Sequence, residues 1–240
     1  MDSKNNVETS LTITLTPPTS PPNTFTLATT LPESSISPLF SGSEWAGTRI
    51  WRAAELSVHW FLVNLVPPPH SFLELGAGLG LLGHCLSRLN PESTYVITDV
   101  EALIEQLEYN IPSSQNNLKA AGLDWSEDGL RRVELECNNN RPFDLIVSTD
   151  CVYKPLYGDS YVKLAECVVS GLKRNVNAVS VHFMERRNGD GVEEWVEILE
   201  GEGLKVEKED WGSKGCEEMQ WSGEGGRAGV LEVYRVVNKK

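Results

Sequence analysis

Ser71-Phe-Leu-Glu-Leu-Gly-Ala-Gly-Leu-Gly80 decides the fold. Ser71 to Leu75 reads as a short buried strand, Gly76 to Gly80 as a tight turn, and Leu81 to Leu89 as the helix that follows. Glycines at such a turn let the backbone bend sharply and approach a ligand closely. Counting from Gly76, Leu81 stands where a dinucleotide fingerprint has its last glycine, so the pattern is G-x-G-x-G. No Gly-Lys-Ser/Thr follows to mark a phosphate loop. The turn points away from NAD and ATP, toward an adenosyl ligand without phosphates.

Working outward, Tyr95-Val-Ile-Thr-Asp99 is strand-like and Ala102 to Tyr109 is helical until Asn110 and Pro112. Strand, helix, strand, helix predicts a parallel sheet with right-handed crossovers. Further strands are expected near Leu118–Leu123 and at Phe143–Ser148, Ala178–Phe183, Leu204–Lys208 and Val230–Val237, with helices at Tyr161–Leu172 and around Val192–Leu199. Upstream, Trp51, Ala54, Leu56, Val58, Phe61, Leu62 and Leu65 recur at helical spacing, predicting one amphipathic helix over 49–65 stopped by Pro67-Pro-Pro69. The Gly- and Glu-rich stretch 211–229 reads as a long surface loop. The fold class is α/β, with seven strands and no second domain: residues 45–240 form the domain and 1–44 an N-terminal extension. That extension holds 6 Ser, 9 Thr and 6 Pro in its first 40 residues, a mixture typical of a flexible arm. Yet Leu11-Thr-Ile-Thr-Leu15 and Phe25-Thr-Leu27 alternate with period two, so a peripheral β-hairpin is the other reading.

Over 240 residues, 21 Lys+Arg stand against 34 Asp+Glu, a net charge of −13. Such a balance repels nucleic-acid phosphates and anionic lipids, and no basic run longer than Arg186-Arg187 offsets it. The longest apolar stretch, Trp60 to Val66, is far short of the roughly 20 residues that span a bilayer. The five cysteines are widely spaced without a CxxC pair, and the four histidines lack metal-ligand spacing, so neither a disulfide framework nor a metal site is expected. A signal sequence is not evident, and the reading is a cytosolic protein, with the nucleus also open to it.

Asp99 lies 23 residues beyond Gly76, at the carboxyl end of the next strand. An acidic residue there can accept both hydroxyls of a ribose, a role compatible with capping the segment that follows. At this point the chain resembles the class I, seven-β-strand S-adenosyl-L-methionine-dependent methyltransferases, and more narrowly their protein-lysine branch, which modifies elongation factors, chaperones and AAA-type ATPases. The resemblance rests on Ile50-Trp51-Arg-Ala-Ala54, Glu74-Leu-Gly-Ala-Gly-Leu-Gly80, Thr98-Asp99, Leu123-Asp-Trp125 and Asp150-Cys-Val-Tyr153, spanning residues 50–153, and the element order extends it to about residue 237. It implies a Rossmann-like, doubly wound, mostly parallel sheet and S-adenosyl-L-methionine as cofactor. Trp51 would lie beside the methionine part. Gly76, Ala77 and Gly78 would wrap its backbone, within a motif bounded by Glu74 and Gly80. Asp99 would take the ribose, Trp125 would flank the adenine with Asp124 near its amino group, and Thr149 would line the pocket. Thr149 departs from the smaller Ala often found there. A sulfonium is drawn to aromatic faces and adenine stacks on flat ones, which suits both Trp residues, although either could simply fill core.

Methyl transfer from sulfur to an amine is an in-line displacement, and a lysine nucleophile must first lose its proton, since its ordinary pKa is about 10.4. The resemblance places Asp150 and Tyr153 at the methyl group as the catalytic pair. The expectation is that Asp150 orients the amine and accepts its proton while Tyr153 packs against the lysine stem or contributes an oxygen near the nitrogen. Cys151 reads as a buried strand-end thiol and His182 as a packing or rim residue. The implied partner is a protein presenting a lysine, met by a monomeric enzyme; protein arginine, a small-molecule amine, or noncatalytic cofactor binding are the alternatives.

Overall fold

The computed structural model describes residues 10–15, 23–28, 44–64, 69–209 and 230–239. After an antiparallel pair, β1 (Ser10–Leu15) and β2 (Asn23–Ala28), the chain builds β3 (Ser71–Leu75), β4 (Thr94–Asp99), β5 (Leu118–Gly122), β6 (Leu145–Thr149), β7 (Val179–Glu185), β8 (Leu204–Glu209) and β9 (Leu231–Asn238). These last seven form one sheet in the order β5-β4-β3-β6-β7-β9-β8, parallel except for β9, which runs antiparallel to both neighbours. The helices are α1 (Arg52–Asn64), α2 (Leu81–Leu89), α3 (Ile104–Asn110), α4 (Glu127–Cys137), α5 (Lys154–Tyr157), α6 (Ser160–Arg174) and α7 (Val192–Gly201).

Side chains alternate across each strand, and the central strands are apolar on both faces because both faces are covered. Phe72, Leu145, Val147, Val181 and Phe183 pack with α1, α2 and α3, whereas Leu73, Leu75, Ile146 and Met184 pack with α4, α6 and α7. The doubly wound α/β expectation therefore holds, seven strands included. Strands β1 and β2 pair antiparallel, Ser10 opposite Ala28, with Leu27 fully buried and β2 lying against α3, and residues 16–22 between them lie outside the described residues. The loop expected at 211–229 lies outside the described residues.

Two elements escape the sequence reading. Helix α4 carries its core contacts on Leu130, Val133 and Cys137 among charged residues, so its apolar stripe is thin; its start is set by Ser126, whose hydroxyl accepts the Gly129 N–H at 3.0 Å. The four-residue α5 is too short to show a period. The first long helix begins at Arg52 rather than 49, because Glu44–Thr48 forms a separate 3-10 turn and the Trp51 indole N–H donates to the Ala46 carbonyl at 2.8 Å.

Candidate active site

In an open α/β sheet the loops at the carboxyl ends of neighbouring strands part where the strand order reverses, here between β3 and β6, and leave a crevice. A cavity of about 320 Å³ occupies that place, within the range of small-molecule sites. Its floor is the glycine turn after β3. Gly76 has φ +64°, and a Cβ there would stand 2.5 Å from the Cys151 Sγ and 3.4 Å from the Trp125 ring. The turn is held from the next strand: the Ala77 N–H donates to the Thr98 carbonyl at 2.9 Å and the Gly78 N–H to Asp99 Oδ2 at 2.7 Å.

Asp99 Oδ1 accepts the Val100 N–H at 2.8 Å, so each carboxylate oxygen keeps a further lone pair for a ligand hydroxyl. Burial pushes this carboxyl up to about 6, against the pull of the two backbone N–H groups. Trp51 closes one side of the cavity, while Asp124 and Trp125 form another. Trp125 adopts φ +60°, a conformation a bulky residue rarely takes, so the surrounding structure must hold it there. Exposed Asp124 accepts the Ser126 hydroxyl at 2.7 Å, and that bond first of all holds its carboxyl below the usual range.

Thr149 and Asp150 complete the wall at the end of β6. Asp150 also sits at positive φ, +56°, with its N–H on the Phe183 carbonyl at 2.7 Å. Its carboxylate is gripped by Arg187, Nη1 to Oδ1 at 3.0 Å and Nη2 to Oδ2 at 2.8 Å, and Oδ1 also accepts the Glu185 N–H at 3.2 Å. Burial pushes the Asp150 carboxyl upward and the Arg187 pair offsets part of that push. Arg187 and this pairing were not anticipated from the sequence, nor were Tyr157, Ser160 and Lys163, which also line the cavity. Tyr157 lies on α5 and Ser160 and Lys163 on α6, elements that follow the Asp-x-x-Tyr motif too irregularly for spacing to aim them.

Three expected site residues stand elsewhere. Glu74 is fully buried beneath the turn, its Oε2 accepting the Gly83 N–H of α2 at 2.9 Å. Gly80 caps α2, and a Cβ there would press into Ile97 and Leu107, at 2.9 and 3.1 Å, so it serves packing rather than the cavity. Tyr153 does not line the cavity; its ring lies under the Arg187 guanidinium, 4.7 Å from Cζ to the centroid. Cys151 does line it, but its thiol donates to the Leu75 carbonyl at 3.2 Å and burial drives its pKa well upward, so it is no nucleophile. His182 is packed, not at the rim, between the Ser148 and Ser180 hydroxyls at 2.7 and 2.6 Å.

Glu74 also carries a prediction. Burial raises its carboxyl to about 8 from an ordinary 4.5. Between these values the unfolded chain ionises and the folded one does not, so this group costs stability progressively as pH rises from 4.5 toward 8. Glu74→Gln mimics the protonated acid: the variant is expected to match wild type near pH 5 and exceed it at pH 8 by roughly 2 to 5 kcal/mol. Urea melts at both pH values check this; an equal difference at the two would refute it.

The strand order, the turn and the acid ending β4 define the class I methyltransferase fold. A TehB-like SAM-dependent methyltransferase from Corynebacterium glutamicum shares it, with a TM-score of 0.51 and 19% identity over 86% of this chain and 97% of that one. Residues 36–201 match the family model described as lysine methyltransferase, and the chain belongs to that family. Protein-lysine N-methyltransferase EFM6 of Saccharomyces cerevisiae is 27% identical over 176 residues, covering 62% of this chain and 68% of the relative. Secreted RxLR effector protein 48 of Plasmopara viticola is 29% identical over 112 residues, covering 47% and 56% respectively.

Proposed function

We propose that this chain is an S-adenosyl-L-methionine-dependent protein-lysine N-methyltransferase, acting as a monomer in the cytoplasm on a non-histone protein such as an elongation factor or chaperone. The observation that carries the reading is the match of residues 36–201 to the lysine methyltransferase family, set on a cavity whose floor only glycine permits. The residues present fit the cofactor. The Gly76 turn makes a cradle that a Cβ would fill, Asp99 offers two carboxylate lone pairs to ribose hydroxyls, and Trp51 and Trp125 present aromatic surface to a cation and a base. Bound there, S-adenosyl-L-methionine would supply an electrophilic methyl group for transfer to the amine nitrogen, with a neutral thioether as the leaving group.

The chain's own task is to bind, to orient and to exclude water. Trp51, the Gly76–Gly78 turn, Asp99, Asp124, Trp125 and Thr149 hold the cofactor. Asp150 directs the incoming amine, Tyr153 supports the Arg187 guanidinium that holds Asp150, and the amine's proton leaves to solvent. The acidic surface favours encounter with a basic, lysine-bearing protein and disfavours nucleic acid. Among the described residues no helix is long and apolar enough to cross a membrane.

The test is incubation of the purified protein with tritium-labelled S-adenosyl-L-methionine and the proteins of a cell extract, followed by acid hydrolysis. Label in methyllysine is expected. Label in methylarginine or in a small amine would move the acceptor, and no label from a folded protein that binds the cofactor would remove the transfer activity.

A further inference from the structure

Asp150 is the residue expected to meet the amine, yet its carboxylate is nearly saturated. Each oxygen has two lone pairs. Oδ1 spends both, on Arg187 Nη1 and the Glu185 N–H, and Oδ2 spends one on Arg187 Nη2. One acceptor direction is left. The same guanidinium reaches Glu185 Oε2 from Nη2 at 3.0 Å and stacks on Tyr153, so one side chain touches both ends of the Asp-x-x-Tyr motif. Glu185 in turn pairs with Arg52, the residue after Trp51, at 3.6 Å.

Arg187 is itself mounted rigidly. Its N–H donates to Asp190 Oδ2 at 2.8 Å, and buried Asp190 is further held by Arg186 Nε at 2.9 Å and the Val192 N–H at 3.1 Å. The Asp190 carbonyl accepts the Lys154 N–H at 2.7 Å, tying the turn after β7 back to the segment carrying Tyr153. A surface arginine would need none of this scaffolding.

A bare carboxylate beside a lysine amine would stabilise the ammonium form and oppose transfer, because the nucleophile must be neutral. Pairing with a guanidinium cancels that effect while leaving a lone pair to orient one N–H. We propose that Arg187 is a positioning residue for the methyl-transfer step: it locks Asp150 and Tyr153 in place and balances the Asp150 charge so that the substrate amine loses its proton near neutral pH. The inference rests on the lysine methyltransferase reading. The other charged or titratable groups around Asp150 are Glu185 at the end of β7, Cys151 and Tyr157 on its own segment, Asp99 from β4, Arg49 and Lys163 in the cavity wall, and Arg52 on Glu185; among the described residues Arg187 is the cation bonded directly to the Asp150 carboxylate.

The test is the pH profile of methyllysine formation from tritium-labelled S-adenosyl-L-methionine on cell-extract proteins, for wild type, Arg187→Gln and Arg187→Lys, with cofactor affinity and melting measured on each. Arg187→Gln loses both the charge and the fork: its midpoint is expected to move up by about one pH unit, so that its deficit is about tenfold larger at pH 7 than near pH 9.5, where only a several-fold loss of plateau rate remains, with cofactor affinity unchanged. Arg187→Lys keeps the charge but loses the fork, so its midpoint should stay at the wild-type value while its plateau rate falls several-fold. A loss in Arg187→Gln by the same factor at every pH, or a loss confined to cofactor affinity, would mean a structural role and overturn the proposal. Should Arg187→Gln fail to fold, Arg187→Lys decides, a displaced midpoint overturning it. A wild type that forms no methyllysine overturns the underlying reading and this one together.

Discussion

Asp99→Ala is expected to weaken S-adenosyl-L-methionine binding by roughly a hundredfold or more. A hydrogen bond to a charged group contributes about 1.5 to 3 kcal/mol, two ribose hydroxyls would lose theirs, and every 1.4 kcal/mol is tenfold in affinity. The variant also releases the Gly78 N–H, which Asp99 Oδ2 accepts at 2.7 Å, so the turn loses its tether to β4. Wild-type binding has a pH signature of its own. Burial holds the Asp99 carboxyl at about 6, and only its ionised form can accept from both backbone N–H groups and both hydroxyls. Affinity should therefore be full above pH 7 and decline as pH falls through 6. Asp99→Asn should show low affinity without that decline. Calorimetric titrations at pH 5.5 and 7.5 measure both effects, and tight binding by Asp99→Ala at pH 7.5 would remove Asp99 from the site.

The second large effect is expected at Gly76. A non-glycine residue at φ +64° costs about 1–2 kcal/mol, and overpacking in a filled interior costs typically 1–3 kcal/mol more. Here the obstruction has a name, since a Cβ would stand 2.5 Å from the Cys151 Sγ, which cannot retreat without giving up its bond to the Leu75 carbonyl. Gly76→Ala should lose about 2–5 kcal/mol of stability and at least tenfold in cofactor affinity, since the new methyl group also disturbs the floor of the cavity. Cys151→Ala in the same chain should restore the overpacking part and leave the backbone part. A double-mutant cycle by urea denaturation reads the coupling, about 1–3 kcal/mol; strict additivity would show that the thiol is not the obstruction.

Much of this protein is legible in one dimension because its determinants are local. The apolar run at Ser71–Leu75, the glycines after it and the acid at Asp99 lie within 30 residues and encode strand, turn and strand end through backbone conformation and burial. Strands buried on both faces announce themselves as continuous apolar runs, which is why the central strands β3, β4, β6 and β7 are legible from pattern alone. Helix α4 was hidden because its few core side chains stand among so many charged residues that the segment is polar as a whole. Glu74 and Gly80 share a motif with the true floor residues, but strand alternation and the turn of α2 aim them into the core instead.

Contacts between residues far apart in sequence are a different matter. Arg187 reaches Asp150 across 37 residues of sequence, because parallel β6 and β7 end side by side and deliver the two to one edge. Tyr153 is turned onto that guanidinium and away from the cavity, while Tyr157, from the next turn of the chain, lines it. The central strands, the glycine floor and the acid that faces it are written locally, since each is set by conformations of neighbouring residues. Which charges pair, and so how Asp150 can act, was settled only when separate strands brought their ends together, where distance through space replaces distance along the chain.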